Sequence, residues 1–429
     1  MKSRILSLIA LLLTISLITA CSGSGTTSDS GGKNSGKEFE GVVLRTIGGP
    51  DEKGYWAKVN KEFEEQTGIK IERDTVPYGQ ETQKLVNSFL AGGASYDIFV
   101  TDVIDVPQYV AAGWVEPVDQ WITEEMKEDL LPFAKSAVVY NDKWYGLPYA
   151  SEWKSFVYNK EILQKGGFNE PPKTWDEFIE VSQSLQDQGL VKYASSWSWL
   201  QGEALICDFT AIAASMGSTL FDEDANPTFN NENGIRALQL MVDMVHKYKI
   251  VDPASLTFSE GPVGDAMAAG DIAFELQWGI PTVELNNEEQ SKVVGQIEAS
   301  LMPYEVKPAT ISGPMAFSIS SGSKNKEASW KYIEYIAGQE GSKRATLENG
   351  MFPGWKSIYE DPEVKEKVPA LQDIINQGEN AVNRPAVPWY KEWSSMMQVE
   401  LQNALTQKKT PEQALEDATQ KTLKIISEN

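Results

Sequence analysis

The feature that most constrains this chain is an alternation of short β-rich runs with helical ones near its N-terminal end. Gly41–Ile47 (GVVLRTI) is a β-rich run that stops at Gly48-Gly49-Pro50. Tyr55–Gln66 follows with Trp56, Val59 and Phe63 at helical spacing, closed by Thr67-Gly68. Lys70–Val76 returns to strand alternation, Gln80–Leu90 is helical, and Tyr96–Val100 (YDIFV) is a short buried-strand run. Strand, helix, strand, helix, strand in that order builds an α/β layer around a mainly parallel sheet. Ligands in such sheets sit beyond the C-terminal strand ends. Gly48, Gly49, Tyr78 and Asp102 all fall there.

Further along, Thr174 with Glu177 forms a capping box that opens a helix running to Gln188. Asn230–Ile250 has an amphipathic helical pattern, Asp271–Gln277 reads as a strand, and Ser329–Ala337 is a helix with Trp330, Ile333 and Ile336 as its stripe. Thr410-Pro411-Glu412-Gln413 opens a last helix with proline at its first position. Composition narrows the chemistry. A net charge of −23 without a basic cluster argues against nucleic acid as partner, because phosphates need clustered Lys and Arg. With two cysteines and one histidine, His246, most nucleophilic, metal and redox chemistry is removed, and no cofactor is implied.

The N-terminus sets an expected compartment. A basic MKSR is followed by the mainly apolar Ile5–Ile18, which as helix spans about 21 Å, short of a bilayer crossing, so residues 1–20 read as a secretory signal. Ile18-Thr19-Ala20-Cys21 resembles a bacterial lipobox, which makes Cys21 the lipidated mature N-terminus. Ser22–Gly36 is Gly/Ser-rich and without apolar residues, so residues 21–38 form a flexible tether from that lipid anchor. An ordinary cleaved signal with an incidental cysteine is the alternative. Cys207 is then the one remaining thiol, leaving no structural disulfide.

Several landmarks occur in order: the lipobox and tether, YDIFVTD with AAGWVEPV, KWYGLPYASEWKSFVYNKE, PKTWDEF, GDIAFELQWG, and RPAVPWYKEW with KKTPEQALEDA. This succession, covering nearly all of residues 40–427, resembles the family 1 extracellular solute-binding proteins of ABC importers, whose best-known members bind maltose and other oligosaccharides. The resemblance implies an α/β fold of two lobes, the periplasmic-binding-protein fold of type II, each a mixed, mainly parallel sheet flanked by helices and joined by a multi-strand hinge. Crossings near Gly146–Glu152, Leu301–Gly313 and Leu347–Pro353 give lobes of 39–148 plus 312–346 and 149–311 plus 347–429. It also implies a monomer on the outer face of the bacterial cytoplasmic membrane, taking a sugar ligand and passing it to ABC permease subunits, with no catalysis of its own. No phosphate-cradling GxxxxGK[ST] motif is present, as suits a receptor whose ATP is hydrolysed on other subunits.

Sugars present hydroxyls at the rim and polarised C–H on the faces, so recognition wants aromatic platforms and planar polar groups. The chain carries 13 Trp. The family resemblance makes Trp278, Trp389 and Tyr390 sugar platforms, although Trp389 and Tyr390 open a helix where core and cleft positions compete. Trp393, Met397 and Leu401 continue that helix as a core stripe. Alternation points Trp197 and Trp199 the same way, with at least one lining the cleft. Gly279 leaves room beside Trp278, and Gly313 permits close backbone approach. Glu152, Asp208, Asp102 and Arg384 are the polar candidates, each with an alternative as cap, hinge ion pair or surface charge. The rival functions are a lipid-anchored glycoside hydrolase or lyase, a receptor for a polyamine or another non-sugar solute, and a surface adhesin.

Overall fold

The computed structural model describes residues 39–51, 54–76, 80–90 and 95–428. The signal, Cys21, the tether and Tyr78 lie outside the described residues. The first unit forms as its periodicity requires: β1 (Val43–Gly48), α1 (Tyr55–Thr67), β2 (Lys70–Thr75), α2 (Gln80–Leu90) and β3 (Ile98–Asp102). β1 pairs in parallel with both β2 and β3. Side chains on successive strand residues point to opposite faces, so Ile98 enters the large core while Phe99 enters a smaller cluster with Ile47, Leu85 and Tyr109. Both faces of this parallel layer are thereby covered.

A small hairpin, β4 (Val139–Tyr140) and β5 (Lys143–Trp144), precedes the long strand β6 (Leu147–Asn159). The remaining strands are β7 (Phe274–Trp278), β8 (Ile297–Ser300), β9 (Thr310–Ile319) and β10 (Ala381–Asn383). The main sheet runs β2-β1-β3-β9-β6-β7, with β10 on β9 and β8 on β6. β9 joins β3 and β6 antiparallel, and β7 and β8 join β6 antiparallel. Among the named strands of the described residues, parallel pairing joins β1 to β2 and β3, and β10 to β9.

β6 and β9 are the strands that stitch the sheet together. The first half of β6, Leu147–Trp153, pairs with β9, whereas Lys154–Asn159 pairs with β7 and β8. β9 likewise pairs with β3 through Met315–Ile319 and with β10 through Thr310–Ser312. Side chains near Glu152 and Gly313, which face each other in register, therefore stand where the two halves of the sheet meet.

The helices follow their sequence signals closely. Thr174 Oγ1 accepts the Glu177 N–H at 3.2 Å, and Glu177 accepts the Lys173 N–H at 2.7 Å, fixing the start of the helix Trp175–Asp187. Thr410 accepts the Gln413 N–H at 3.2 Å, ahead of the helix Pro411–Glu428. The pattern at 230–250 gives a shorter helix, Glu232–His246, because Asn231 caps it by accepting the Gly234 N–H and Lys249 turns the chain at φ 55°. His246 is structural: its Nε2 lies 2.8 Å from the Leu405 carbonyl, tying that helix to the helix Tyr390–Leu405. Among the described residues no helix is long and apolar enough to cross a membrane.

Candidate ligand-binding site

Strand ends and helix starts converge on one place. β3 delivers Asp102, β6 delivers Glu152, β7 ends in Trp278 and β9 brings Gly313 and Met315. The helices Glu203–Ser215 and Glu260–Ala269 each open with a carboxylate, where the macrodipole favours negative charge. Arg384 follows β10. These residues line a chamber of about 210 Å³, together with Ala204 and Cys207. Glu152, Glu260 and Trp278 also line a wider cavity of about 660 Å³, which runs past Gly279 and Glu284 to Asn349–Met351.

One wall is held by a buried polar network. Arg384, 3% exposed, donates through Nη2 to both Asp102 oxygens at 2.9 and 3.2 Å, and through Nη1 to Glu203 at 2.9 Å. Glu203 also accepts the hydroxyls of Tyr390 and Ser394, the latter at 2.6 Å. A planar guanidinium held by two carboxylates from different elements is fixed in orientation.

Trp278 forms another part of the lining, beside Arg384 at Gly313. Its indole N–H donates to Glu260 at 2.8 Å, and Lys154 Nζ stands 5.5 Å from the ring centroid. Lys154 is wholly buried and bonds Asp208 at 2.6 Å, with Glu260 at 3.9 Å. Gly313 makes room for the ring: a Cβ there would lie 2.8 Å from Trp278 Cη2 and 3.1 Å from Arg384 Nη2. Gly279 adopts φ 71°, a left-handed conformation open to glycine, and turns the chain away after the platform.

Desolvation sets the protonation of these walls. Burial, reinforced by Glu284 and Glu260, pushes the Glu152 carboxyl up to about 7. Burial lifts Glu275 to about 8, although Gln277 opposes it by donating to the carboxylate. Asp208 rises to about 6 for the same reason, against the pull of Lys154. The Cys207 thiol is raised by burial, which keeps it protonated and inert.

The structure brings Asp102, Glu152, Trp278, Gly279, Gly313 and Arg384 to these cavities. It does not bring the others. Trp197 and Trp199 stack on each other at 5.4 Å between centroids and are 2% and 0% exposed, so both are core and neither is the cleft wall expected of one of them. Alternation did point them the same way, but into the core. Trp389 packs edge-on against Phe221 at 5.6 Å and is not among the residues lining either cavity. Tyr390 is fully buried and acts behind the wall, through its hydroxyl on Glu203. Asp208 supports the platform from beneath. Gly48 and Gly49 pack instead around Arg73, which donates to the Gly49 carbonyl at 2.8 Å.

Lys154, Glu203, Glu260 and Met315 are site residues that the sequence reading did not single out. Glu203 stands in the sequence only as a polar neighbour of the tryptophan pair. Helix starts at Gly202-Glu203 and Ser259-Glu260 were the available signal, since a carboxylate opening a helix beyond a strand end is well placed to face a cleft.

Comparison with known proteins bears on the family and the fold. Residues 49–343 match the family described as bacterial extracellular solute-binding protein. A probable amino-acid ABC transporter periplasmic-binding protein of Sinorhizobium fredii is 25% identical over 378 residues, 84% of either chain. Among solved structures, the maltose-bound MalE3 of T. maritima has a TM-score of 0.84 at 24% identity, over 89% of this chain and 99% of that one. An ABC transporter solute-binding protein of Thermotoga lettingae, bound with alpha-D-tagatose, has a TM-score of 0.81 at 27% identity, over 90% of this chain and 99% of that one. The α/β fold is accordingly the two-lobed periplasmic-binding-protein fold, and the chain belongs to the bacterial extracellular solute-binding protein family.

Proposed function

We propose that this protein captures a sugar in the cleft between Trp278 and the Arg384 network, closes on it, and delivers it to a membrane permease of an ABC importer. The observation that carries this reading is that a partly exposed indole and fixed polar groups line one chamber of about 210 Å³. An aromatic face takes the apolar side of a sugar ring, while Arg384, Asp102 and Glu203 offer in-plane hydrogen bonds at its rim. The tagatose-bound relative, at 27% identity, supports the same ligand class.

The proposed lobes are 39–148 plus 312–346 and 149–311 plus 347–429, with β6 and β9 among the hinge segments. Ligand contacts from both lobes exist together only in the closed state, so the ligand shifts the equilibrium toward closure by its differential affinity. Lipidation of Cys21 would hold a monomer at the outer face of the cytoplasmic membrane. The reading includes no turnover of the ligand.

A thermal-shift screen of the protein against mono- and oligosaccharides tests this, because a ligand of the native state must stabilise it. The expected result is a concentration-dependent rise in Tm with at least one sugar, lost on Trp278→Ala. Release of a cleaved product from the stabilising sugar would move the protein to the hydrolase or lyase class.

A further inference from the structure

The two cavities, which share Glu152, Glu260 and Trp278, carry a charge imbalance that a neutral sugar leaves unanswered. Asp102, Glu152, Glu203 and Glu260 line the inner chamber, and Asp265, Glu275 and Glu284 join Glu152 and Glu260 in the outer one. Among the described lining residues the cation is Arg384, and it is already committed to Asp102 and Glu203. Lys154, behind the platform, makes its short bond to Asp208 and stands 3.9 Å from Glu260. The Glu152 carboxylate, facing both chambers, makes no hydrogen bond or ion pair with any described residue.

This arrangement is costly when the cleft is empty. Carboxylates gathered in a desolvated space repel, and one answer is to keep a proton. Glu152 does so in part: burial, Glu284 and Glu260 raise it to about 7, so it is half-protonated at neutral pH and mostly ionised at pH 7.5. The other titratable and charged groups about it are Asp102 from β3, Glu203 and Arg384 across the chamber, and the phenols of Tyr149 and Tyr359. A positive charge entering between Glu152 and Glu260 would neutralise what the protein leaves unmatched. The Trp278 ring beside it is also a favourable surface for a cation.

We propose that the ligand is a hydroxylated molecule bearing a protonated amine, with its nitrogen seated between Glu152 and Glu260 beside Trp278, an inference that rests on the sugar reading of the same cleft. The hydroxyls meet the Arg384 wall and the amine meets the carboxylates. Because the acidic groups are spread over two chambers, the match is to an organic cation of some length.

The test is calorimetric titration of the full chain with matched sets of mono- and disaccharides on gluco, galacto and manno rings. Each set comprises the hydroxyl, N-acetyl and amino forms, and spermidine and calcium chloride are run beside them. The expected result is that in at least one set the amino form binds ten or more times tighter than both neutral forms at pH 7.5. That affinity falls roughly twentyfold by pH 5.5, as Glu152 takes up a proton that must be expelled on binding. In Glu152→Gln, and separately in Glu260→Gln, the preference shrinks to under threefold; the pH series on the unaltered protein stands whether or not these variants fold.

Neutral forms that equal or exceed the amino form in every set overturn the charge inference and leave the sugar reading standing. Spermidine binding tighter than every sugar overturns both the hydroxylated ligand and the sugar reading. Calcium binding that is lost with Glu152→Gln reassigns the carboxylates to a metal. No heat from any of the probes counts against both readings.

Discussion

Replacing Lys154 with methionine removes the charge beneath the platform while keeping most of the aliphatic stem. Lys154 Nζ and Asp208 Oδ1 are 2.6 Å apart, with side chains 0% and 1% exposed. Removing one partner of such a pair strands the other charge, at a cost of about 3–5 kcal/mol. For a body of roughly 390 residues, the usual entropy of unfolding converts this to a fall in Tm of about 5 °C. The loss has a pH signature. The folded-state pKa of Asp208 is raised to about 6 even with Lys154 in place, so its contribution is fully present below the unfolded value and is lost as pH rises through about 6. Without Lys154 the carboxyl rises further, and the loss continues to higher pH. The deficit of Lys154→Met relative to the parent is therefore small at pH 5, where Asp208 is protonated in both, and full at pH 8. Glu152 and Glu275, which also titrate in this range, are common to both proteins and largely cancel in the difference. Urea titrations followed by tryptophan fluorescence at the two pH values measure it. Adding Asp208→Asn to the variant recovers most of the loss at pH 8. A deficit below about 1 kcal/mol at pH 8, or an equal deficit at both pH values, refutes the reasoning.

Two further outcomes separate platform from packing. Trp278→Ala weakens binding of the stabilising sugar by roughly tenfold to a hundredfold, the worth of one partly covered aromatic face, while the urea midpoint moves little; unchanged affinity in calorimetry would remove Trp278 from the site. Trp389→Ala costs about 2 kcal/mol of stability, through its lost contact with Phe221, and leaves sugar affinity unchanged. Weakened binding at unchanged stability would return Trp389 to the cleft.

Much of the fold was legible because local periodicity and capping have short-range causes. β1 to β3, with α1 and α2 between them, appeared within a few residues of their patterned runs. The helix Tyr390–Leu405 buried Trp393, Met397 and Leu401 as the four-residue steps required. The order of motifs along the chain was enough to suggest the family, and part of the candidate site stands where strands end. Asp102 was found by the rule that strand ends face ligands, and Trp278 by the family resemblance together with the strand end before it.

What sequence could not decide was which aromatic faces a void. Trp197, Trp199, Trp278 and Trp389 are chemically the same side chain in similar local settings. Tertiary packing buried the first two against each other, placed Trp389 on Phe221, and left Trp278 with one side toward a cavity. Charge pairing was equally invisible. Arg384 meets Asp102 across 282 positions and Lys154 meets Asp208 across 54, separations that no local pattern records. The sequence by itself determined the elements, their order and the chemistry on offer. Only the tertiary structure decided which carboxylates were matched and which were left facing the cleft, because desolvation and distance are properties of the folded chain.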